Sequence, residues 1–356
     1  MKRVLFINEL LMNYRIPLYE SLCDKIDLTV AHTSMIKDNL AFSEIHISSY
    51  KRGPFIIFKD LPPFDNYDFV IFPFNLRCIQ IFRLLFRRKQ YKLGMFGIGV
   101  SASYKKRYDS DKKSFFLRRF IVNKSDFSIF YERYPYVKYL SCGIEESKLS
   151  VAFNTVAPIS QFDVSEKQYS SIIFLGSLYK QKKIFDLLYA YDLAYRKIDE
   201  LLPDLEIVGD GDEFNNISDW IKTNNYTAKI RLHGRIENDE VLFPILNRAI
   251  ACVSPGQAGL TVQKCFSCGV PFVTCSDAIT GGEIFSIIDG FTGFLYGGTI
   301  DELSCLLRRM ALDKEGFKRM SSNCYAFYSQ FRNIDVWKKG FLKNIVKEDP
   351  TFYNLG

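Results

Sequence analysis

Residues 254–274 read Ser254-Pro255-Gly256-Gln257-Ala258-Gly259-Leu260-Thr261-Val262-Gln263-Lys264-Cys265-Phe266-Ser267-Cys268-Gly269-Val270-Pro271-Phe272-Val273-Thr274. An apolar run, Ile250-Ala251-Cys252-Val253, leads into this stretch and reads as a strand. Gly259 precedes a helix-like segment that stops at Gly269, and a second strand starts at once with Pro271-Phe272-Val273-Thr274. A strand, a glycine-bearing turn and a helix start together make an anion site, because free N–H groups and the positive end of the helix dipole converge there. Gly256, Ala258 and Gly259 are expected to leave such N–H groups free.

Outward from this stretch the same alternation repeats. Ile172–Leu175, Leu205–Val208 and Lys229–Leu232 read as strands, with helices expected at Phe185–Tyr195 and Glu240–Asn247, and Gly293-Phe294-Leu295 closes the set. The strand ends carry Gly176, Gly209, Gly234 and Gly256. The first half follows the same plan: strands at Val4–Ile7, Leu28–Ala31, Phe69–Phe72, Tyr91–Phe96 and Phe127–Phe130, and helices at Tyr14–Cys23, Leu76–Arg88 and Ser114–Asn123. Between the halves, Ala157–Ser171 lacks periodicity and reads as a linker. The expected fold is α/β, with two Rossmann-like doubly wound parallel sheets facing a central cleft. Ligands of such sheets bind beyond the carboxyl ends of the strands.

The chain has 356 residues, enough for about two domains. Hydrophobic residues make up 47%, ample for two cores. The net charge of +7 suits anionic partners. No recognised nucleic-acid module accompanies it, so nucleic acid is not an expected partner. The basic residues cluster at Arg83, Arg87, Arg88, Lys89 and Lys92 and again at Lys105, Lys106, Arg107, Lys112, Lys113, Arg118 and Arg119. Leu76, Ile79, Ile81, Phe82, Leu85 and Phe86 interleave with the first cluster, a pattern that fits either an interfacial amphipathic helix or a sheet-covering helix with a charged outer face. Nine scattered cysteines and an N-terminus that enters a strand directly fit a reduced, cytoplasmic protein. Cys265 and Cys268 form one CxxC without a second pair at zinc spacing, so they are read as helix-packing residues and no metal is expected. No uninterrupted apolar run reaches about 18 residues, so no membrane-spanning helix is expected.

Chemistry is sought at the glycine-bearing ends. In Gly176-Ser177-Leu178-Tyr179-Lys180-Gln181-Lys182-Lys183 the lysines stand just beyond a strand. An ammonium there can neutralise a departing diphosphate, although three lysines also suit a solvated loop. The segment resembles the Gly-Arg-Leu, three residues, Lys-Gly pattern of GT-B glycosyltransferases of the group 1, or family 4, type. Gly176, Leu178 and Lys182 match. Ser177 replaces the Arg and Lys183 the second Gly. Val208-Gly209-Asp210-Gly211 matches the family's "VGDG" turn, where Asp210 is expected to shape the turn. His233-Gly234-Arg235-Ile236 matches the loop that faces the nucleobase. The resemblance places the two usual glutamates of the donor loop at Gly256 and Lys264, and neither is acidic. Gln257 is the neighbour able to bond sugar hydroxyls, and Lys264, which cannot accept a hydrogen bond, is expected to meet a phosphate. Ala258, Gly259 and Leu260 complete the loop.

In the first half, Tyr14-Arg15-Ile16-Pro17 resembles the start of many bacterial polysaccharide glycosyltransferases, with Arg15 either at the ligand edge or in solvent. Gly97-Ile98-Gly99 looks like the "WGHG" turn, with Ile98 where a histidine often stands. His32 and His46 lie apart from any motif, and His233 is expected to be structural. Lys148–Val156 and Asp289–Phe294 resemble two further markers of the family.

The resemblance implies an acceptor-binding domain at 1–158, a nucleotide-sugar-binding domain at 159–334 and a C-terminal helix at 335–356 crossing back to the first domain. It implies sugar transfer from a nucleotide diphospho-sugar with retention, without metal or other cofactor. Lys182 and Lys180 are the expected catalytic residues. Gly176, Ser177, Gly209, Asp210, Arg235, Ile236, Gly256, Gln257, Ala258, Gly259, Leu260 and Lys264 are the expected donor-binding residues. Arg15, Gly97, Ile98 and Gly99 are expected at the acceptor. A glycan or lipid-linked glycan of a surface polysaccharide is the expected acceptor, with an anionic membrane face as a further partner of a cytoplasmic, peripheral protein. Two alternatives remain open: a protein of this fold that binds without catalysing, and a nucleotide-sugar epimerase.

Overall fold

The structure, a computed structural model, describes residues 1–87, 89–102, 107–159 and 163–346. Arg88, Lys105 and Lys106 of the basic clusters, residues 160–162 of the expected linker and residues 347–356 lie outside the described residues. The chain divides into two compact units, the first comprising Met1–Ser101, Asp109–Ala157 and Asn333–Gly356, the second Ala102–Tyr108 and Pro158–Arg332.

The strands of the first unit are β1 (Lys2–Ile7), β2 (Ile26–His32), β3 (Ser43–His46), the antiparallel hairpin β4 (Ser48–Arg52) and β5 (Phe55–Lys59), then β6 (Phe69–Pro73), β7 (Lys92–Gly97), β8 (Phe127–Phe130) and β9 (Leu149–Val151). Outside the hairpin they form one parallel sheet in the order β3-β2-β1-β6-β7-β8-β9. Its central strands are apolar on both faces because helices cover both. Leu5, Ile7, Val70 and Phe72 pack with Ile81 and Leu84 of α2 (Gln80–Phe86), Ile121 and Val122 of α3 (Lys112–Lys124) and Tyr139 of α4 (Arg133–Ser141). Val4, Phe6 and Ile71 pack on the other face with Leu18 and Tyr19 of α1 (Ile16–Glu20). The helix expected over Tyr14–Cys23 is therefore short: a 3-10 turn at Asn13–Arg15 precedes it, and Pro17 stands in its first turn.

The second unit carries β10 (Ser171–Leu175), β11 (Asp204–Val208), β12 (Ile230–Gly234), β13 (Ala249–Val253), β14 (Gln257–Ala258), β15 (Phe272–Cys275), β16 (Ile279–Thr280) and β17 (Gly293–Tyr296). Its main sheet is parallel in the order β12-β11-β10-β13-β15-β17, and β14 pairs separately with β16. The helices are α5 (Ile184–Ile198), α6 (Phe214–Thr223), α7 (Asp239–Arg248), α8 (Thr261–Ser267), α9 (Ile300–Leu312) and α10 (Lys314–Phe331). Cys252, Cys265, Cys268 and Cys324 fill one of its two cores. The chain ends its described part with α11 (Ile334–Leu342), whose Trp337 and Phe341 join the core beneath β1 in the first unit.

Both sheets are doubly wound. Strand order reverses between β1 and β6 in the first and between β10 and β13 in the second. The loops leaving these strands flank the two switch points, where open parallel sheets bind ligands.

Candidate functional site

In the second unit the loops leaving β10 and β13 join at the switch point. The Gly256 N–H donates to the Lys182 carbonyl at 3.1 Å, and a Cβ placed on Gly256 would lie 2.0 Å from the Gln181 carbonyl oxygen. Position 256 therefore has no room for the glutamate that the family pattern puts there. The same contact corrects the expectation of a free N–H at Gly256. Gln257 and Ala258 also belong to a paired strand, β14, and the Ile279 N–H donates to the Gly256 carbonyl at 2.9 Å. Gly259 and Leu260 lead into α8, where their carbonyls accept from Val262 and Lys264.

The neighbouring turns interlock in the same way. Gly176 N–H donates to Val208 O at 3.0 Å, Gly209 N–H to Gly234 O at 2.8 Å and Leu178 N–H to Asp210 O at 2.9 Å. Gly209 has φ +153°, and a Cβ there would lie 1.8 Å from the Gly176 carbonyl oxygen, so only glycine fits. Asp210 shapes its turn, as expected: its Oδ1 accepts from the Gly211 N–H at 2.8 Å. Gly176, Ser177, Gly209, Asp210, Arg235 and Ile236 line one open cavity of about 470 Å³, together with Gly211 and Glu237. Arg235 is mostly exposed and pairs with Glu237.

Lys182 ends a 3-10 turn, Lys180–Lys182, that precedes α5. Its side chain turns inward and is only 6% exposed. The Nζ stands 3.1 Å from where a Cβ of the cavity-lining Gly176 would lie, and 5.8 Å from the centre of the Tyr179 ring. Among the described residues no carboxylate lies within ion-pair distance of it. Burial pushes its ammonium down to about 8, with a small opposing effect from Cys252. Lys180 is exposed.

Lys264 is not available to a phosphate. Its Nζ donates to both carboxylate oxygens of Asp239 at 2.7 Å, and the side chain is 16% exposed. Gln257 Oε1 accepts from the Tyr179 hydroxyl at 2.6 Å, which orients its amide. Sequence reasoning missed Tyr179, Glu237 and Asp239. Their only sequence signal is position: Tyr179 lies inside the matched Gly176–Lys182 segment, and Glu237 and Asp239 stand one and three residues beyond Ile236.

In the first unit Arg15 follows the loop leaving β1. It is buried, not in solvent, and its guanidinium lies 5.3 Å from the ring centres of Tyr14, Phe96 and Tyr131. Gly97 ends β7, and its carbonyl accepts from the Tyr131 N–H at 3.1 Å. Gly99, at φ +81°, accepts from the Tyr139 hydroxyl at 2.6 Å, and Ile98 between them is half-buried. Thus Arg15 and the end of β7 come together, while Gly99 serves packing against α4. His32 is not isolated: its Nε2 meets Glu44 Oε2 at 2.7 Å in a buried pair. His233 is held by the buried Glu206, which also binds Arg248 Nε at 2.6 Å, and Asn154 ties its segment to the Tyr131 carbonyl at 3.1 Å.

Residues 158–327 match the family Glycosyl transferases group 1. Among curated proteins none matches the sequence. Among solved structures, Anabaena Alr3699/HepE in complex with UDP superposes with a TM-score of 0.68 at 14% identity, covering 97% of this chain and 100% of that one. A glycosyltransferase from Rickettsia africae ESF-5 gives 0.69 at 13% identity, covering 96% of each chain. The apo lipopolysaccharide outer core galactosyltransferase WaaB gives 0.63 at 16% identity, covering 97% and 99%. Two parallel α/β units of this order make the fold GT-B. With the match in the second unit, the chain carries a group 1 glycosyltransferase domain and is a glycosyltransferase.

Proposed function

We propose that the protein moves a sugar from a nucleotide diphospho-sugar to a glycan or lipid-linked glycan acceptor of a surface polysaccharide, with retention and in the manner of family 4. The observation that carries the reading is Lys182, a buried ammonium without a carboxylate beside a glycine-lined cavity at a switch point. A diphosphate supplies the missing counter-charge. HepE is described with bound UDP and with UDP-glucose, and WaaB as a lipopolysaccharide galactosyltransferase, which supports donor and acceptor classes of this kind.

In the proposed step the bond from the sugar's anomeric carbon to the diphosphate oxygen breaks. The acceptor hydroxyl oxygen bonds to that carbon on the same face, and its proton passes to the departing diphosphate. Lys182 stabilises the charge that develops on the leaving group. Gly176, Ser177, Gly209 and Asp210 line the donor cavity, and Arg235 and Ile236 flank the base. The protein supplies no nucleophile, and the step is written without a metal. Gln257, oriented by Tyr179, bonds sugar hydroxyls. A panel of nucleotide sugars, read by thermal shift and by release of nucleoside diphosphate, tests the reading. Binding without release favours the non-catalytic alternative, which Lys264 motivates through its engagement with Asp239.

A peripheral membrane position belongs to the same proposal. On α2, Ile81 and Leu84 pack into the core, so most of its apolar residues cover the sheet. The exposed apolar surface lies at Phe86 and on α3, where Phe116 is 73% exposed and Leu117 and Phe120 are also open, among Lys112, Lys113, Arg119 and Lys124. Phe86 and Phe120 touch, with ring centres 5.9 Å apart. No helix among the described residues is long and apolar enough to cross a membrane. Phe116→Ser/Phe120→Ser should lower co-sedimentation with phosphatidylglycerol vesicles by several-fold. Equal sedimentation would remove the surface from the proposal.

A further inference from the structure

The first unit holds a second buried cation that no carboxylate among the described residues neutralises. We propose that the acceptor carries an oxyanion, a phosphate or a carboxylate, and that the Arg15 guanidinium receives it. The inference rests on the transferase reading above.

Arg15 is 8% exposed. Its Nε donates to the Tyr14 hydroxyl at 3.2 Å and one terminal nitrogen donates to the Tyr131 hydroxyl at 2.9 Å. The other terminal nitrogen is buried with no hydrogen-bond partner. A guanidinium offers five N–H groups in a fixed plane. Two are used, and both N–H groups of the unpartnered terminal nitrogen remain for a carboxylate or phosphate oxygen. Ring faces attract the cation from above and below the plane, but they do not accept its in-plane N–H groups.

No carboxylate lies within ion-pair distance of Arg15 among the described residues. An arginine buried without a counter-ion is unfavourable unless something else supplies the negative charge. The place is also the one where a ligand is expected. Arg15 follows the loop leaving β1, one of the two strands at the switch point, and Phe96 and Tyr131 lie at the carboxyl ends of β7 and β8. A neutral glycan has no need of this cation. Two acceptors do: one built on a lipid phosphate or diphosphate, and one that presents an acidic sugar.

The test measures binding to the whole protein by calorimetry. UDP affinity is measured first, since its absence would count against the transferase reading and not against Arg15. Farnesyl diphosphate, a glucuronic-acid-terminated disaccharide and neutral maltotriose are then titrated, with UDP saturating and also in a Lys182→Ala background that removes the buried cation of the second unit. Arg15→Met should weaken one acidic probe at least tenfold, leave maltotriose unchanged, and Arg15→Lys should restore part of the loss. The probe that loses affinity identifies phosphate or carboxylate as the source. In turnover, the acceptor KM should rise while the donor KM holds, a split that a general packing defect would not give. If Arg15→Met does not fold, Arg15→Lys decides alone, with a loss of threefold or more expected. Acidic probes that bind no better than maltotriose, or a folded Arg15→Met that binds them as well as the native protein, would overturn the proposal.

Discussion

The carboxyl edges of the two sheets share a strand plan and differ in what stands on them. Beyond β10, β11, β12 and β13 the edge is built from Gly176, Gly209, Gly234 and Gly256, and at Gly209 and Gly256 the main chains approach to distances where no side chain fits. Beyond β1, β7 and β8 the edge is aromatic: Tyr14, Phe96 and Tyr131 surround Arg15. Among the described residues each edge holds a buried cation without a carboxylate, Lys182 in the second and Arg15 in the first. Main-chain groups suit phosphates, and ring faces suit the apolar faces of sugars. One fold repeated twice has thus been given two chemistries by the residues at its strand ends. Lys167 is the useful control. It too is buried and pushed down to about 8 by burial, yet its Nζ donates to Leu246 O at 2.7 Å and caps the end of α7. A buried lysine with a carbonyl partner is structural. One without any partner awaits a ligand.

The largest expected effect therefore belongs to Lys182. Lys182→Ala should lower transfer by about 10²–10³, the scale for losing one preorganised charge at a transition state. Stability should move the other way. The folded form holds this amine at about 8 against an ordinary 10.5, so below pH 8 both forms are protonated and the folded one carries the full burial penalty. Between pH 8 and 10.5 the folded form releases its proton first, and stability grows as pH rises. At pH 7 Lys182→Met should therefore be more stable than the native protein, by something on the order of 3 kcal/mol, and the gain should shrink towards pH 10.5. In the native protein kcat/KM for the donor should fall as pH rises through 8, because the free enzyme loses its ammonium. If the melting-temperature gap between Lys182→Met and the native protein does not narrow between pH 7 and 10.5, Lys182 is not buried as a cation, and Lys167, present in both, cancels from the comparison.

The second test strikes the glycine edge. Gly256→Glu restores the family's acid, and if the missing carboxylate were simply lost function it should raise activity. The Gln181 carbonyl leaves no space for it. We expect destabilisation of about 1–3 kcal/mol, the usual cost of overpacking, and lower activity. Thermal melts and initial rates read both. A stable, more active Gly256→Glu would refute the idea that the two loops close on each other at the switch point.

Much of this was legible in the sequence, and the exceptions have physical causes. The buried strands stand out because two covered faces require apolar residues throughout, as in Val4–Ile7 and Ile172–Leu175. β3 and β4 escape because Ser43–His46 and Ser48–Arg52 are short and polar, with no fully buried residue. The glycine ends are readable since glycine marks a main-chain requirement. Partnerships are not. Nothing in the local pattern tells that Lys264 meets Asp239, that Tyr179 reaches Gln257, or that Gly256 bonds to Lys182, because each pair is brought together by the crossovers of the sheet. For the same reason the sequence left Arg15 between ligand edge and solvent, and only the surrounding rings from β7 and β8 decide its burial.

The smallest effect probes how Lys182 is held. Lys183 follows it with φ +53° and ψ +39°, the left-handed region, at the position where the family pattern has glycine. A left-handed lysine costs about 1 kcal/mol or somewhat more. Glycine would relieve that strain but adds about 0.5–1 kcal/mol of chain entropy to the unfolded state. The ion pair lost with Lys183, 3.9 Å to Asp277 and half-exposed, is worth little. These terms nearly cancel, so Lys183→Gly should change stability by no more than about 0.5 kcal/mol, or a degree or two in melting temperature. Activity should hold, because the turn keeps its shape and Lys182 keeps its place. A drop in donor turnover without a change in melting would instead give Lys183 a part in receiving the diphosphate. The second edge would then rest on two cations, and its likeness to the single-arginine edge of the first unit would be lost.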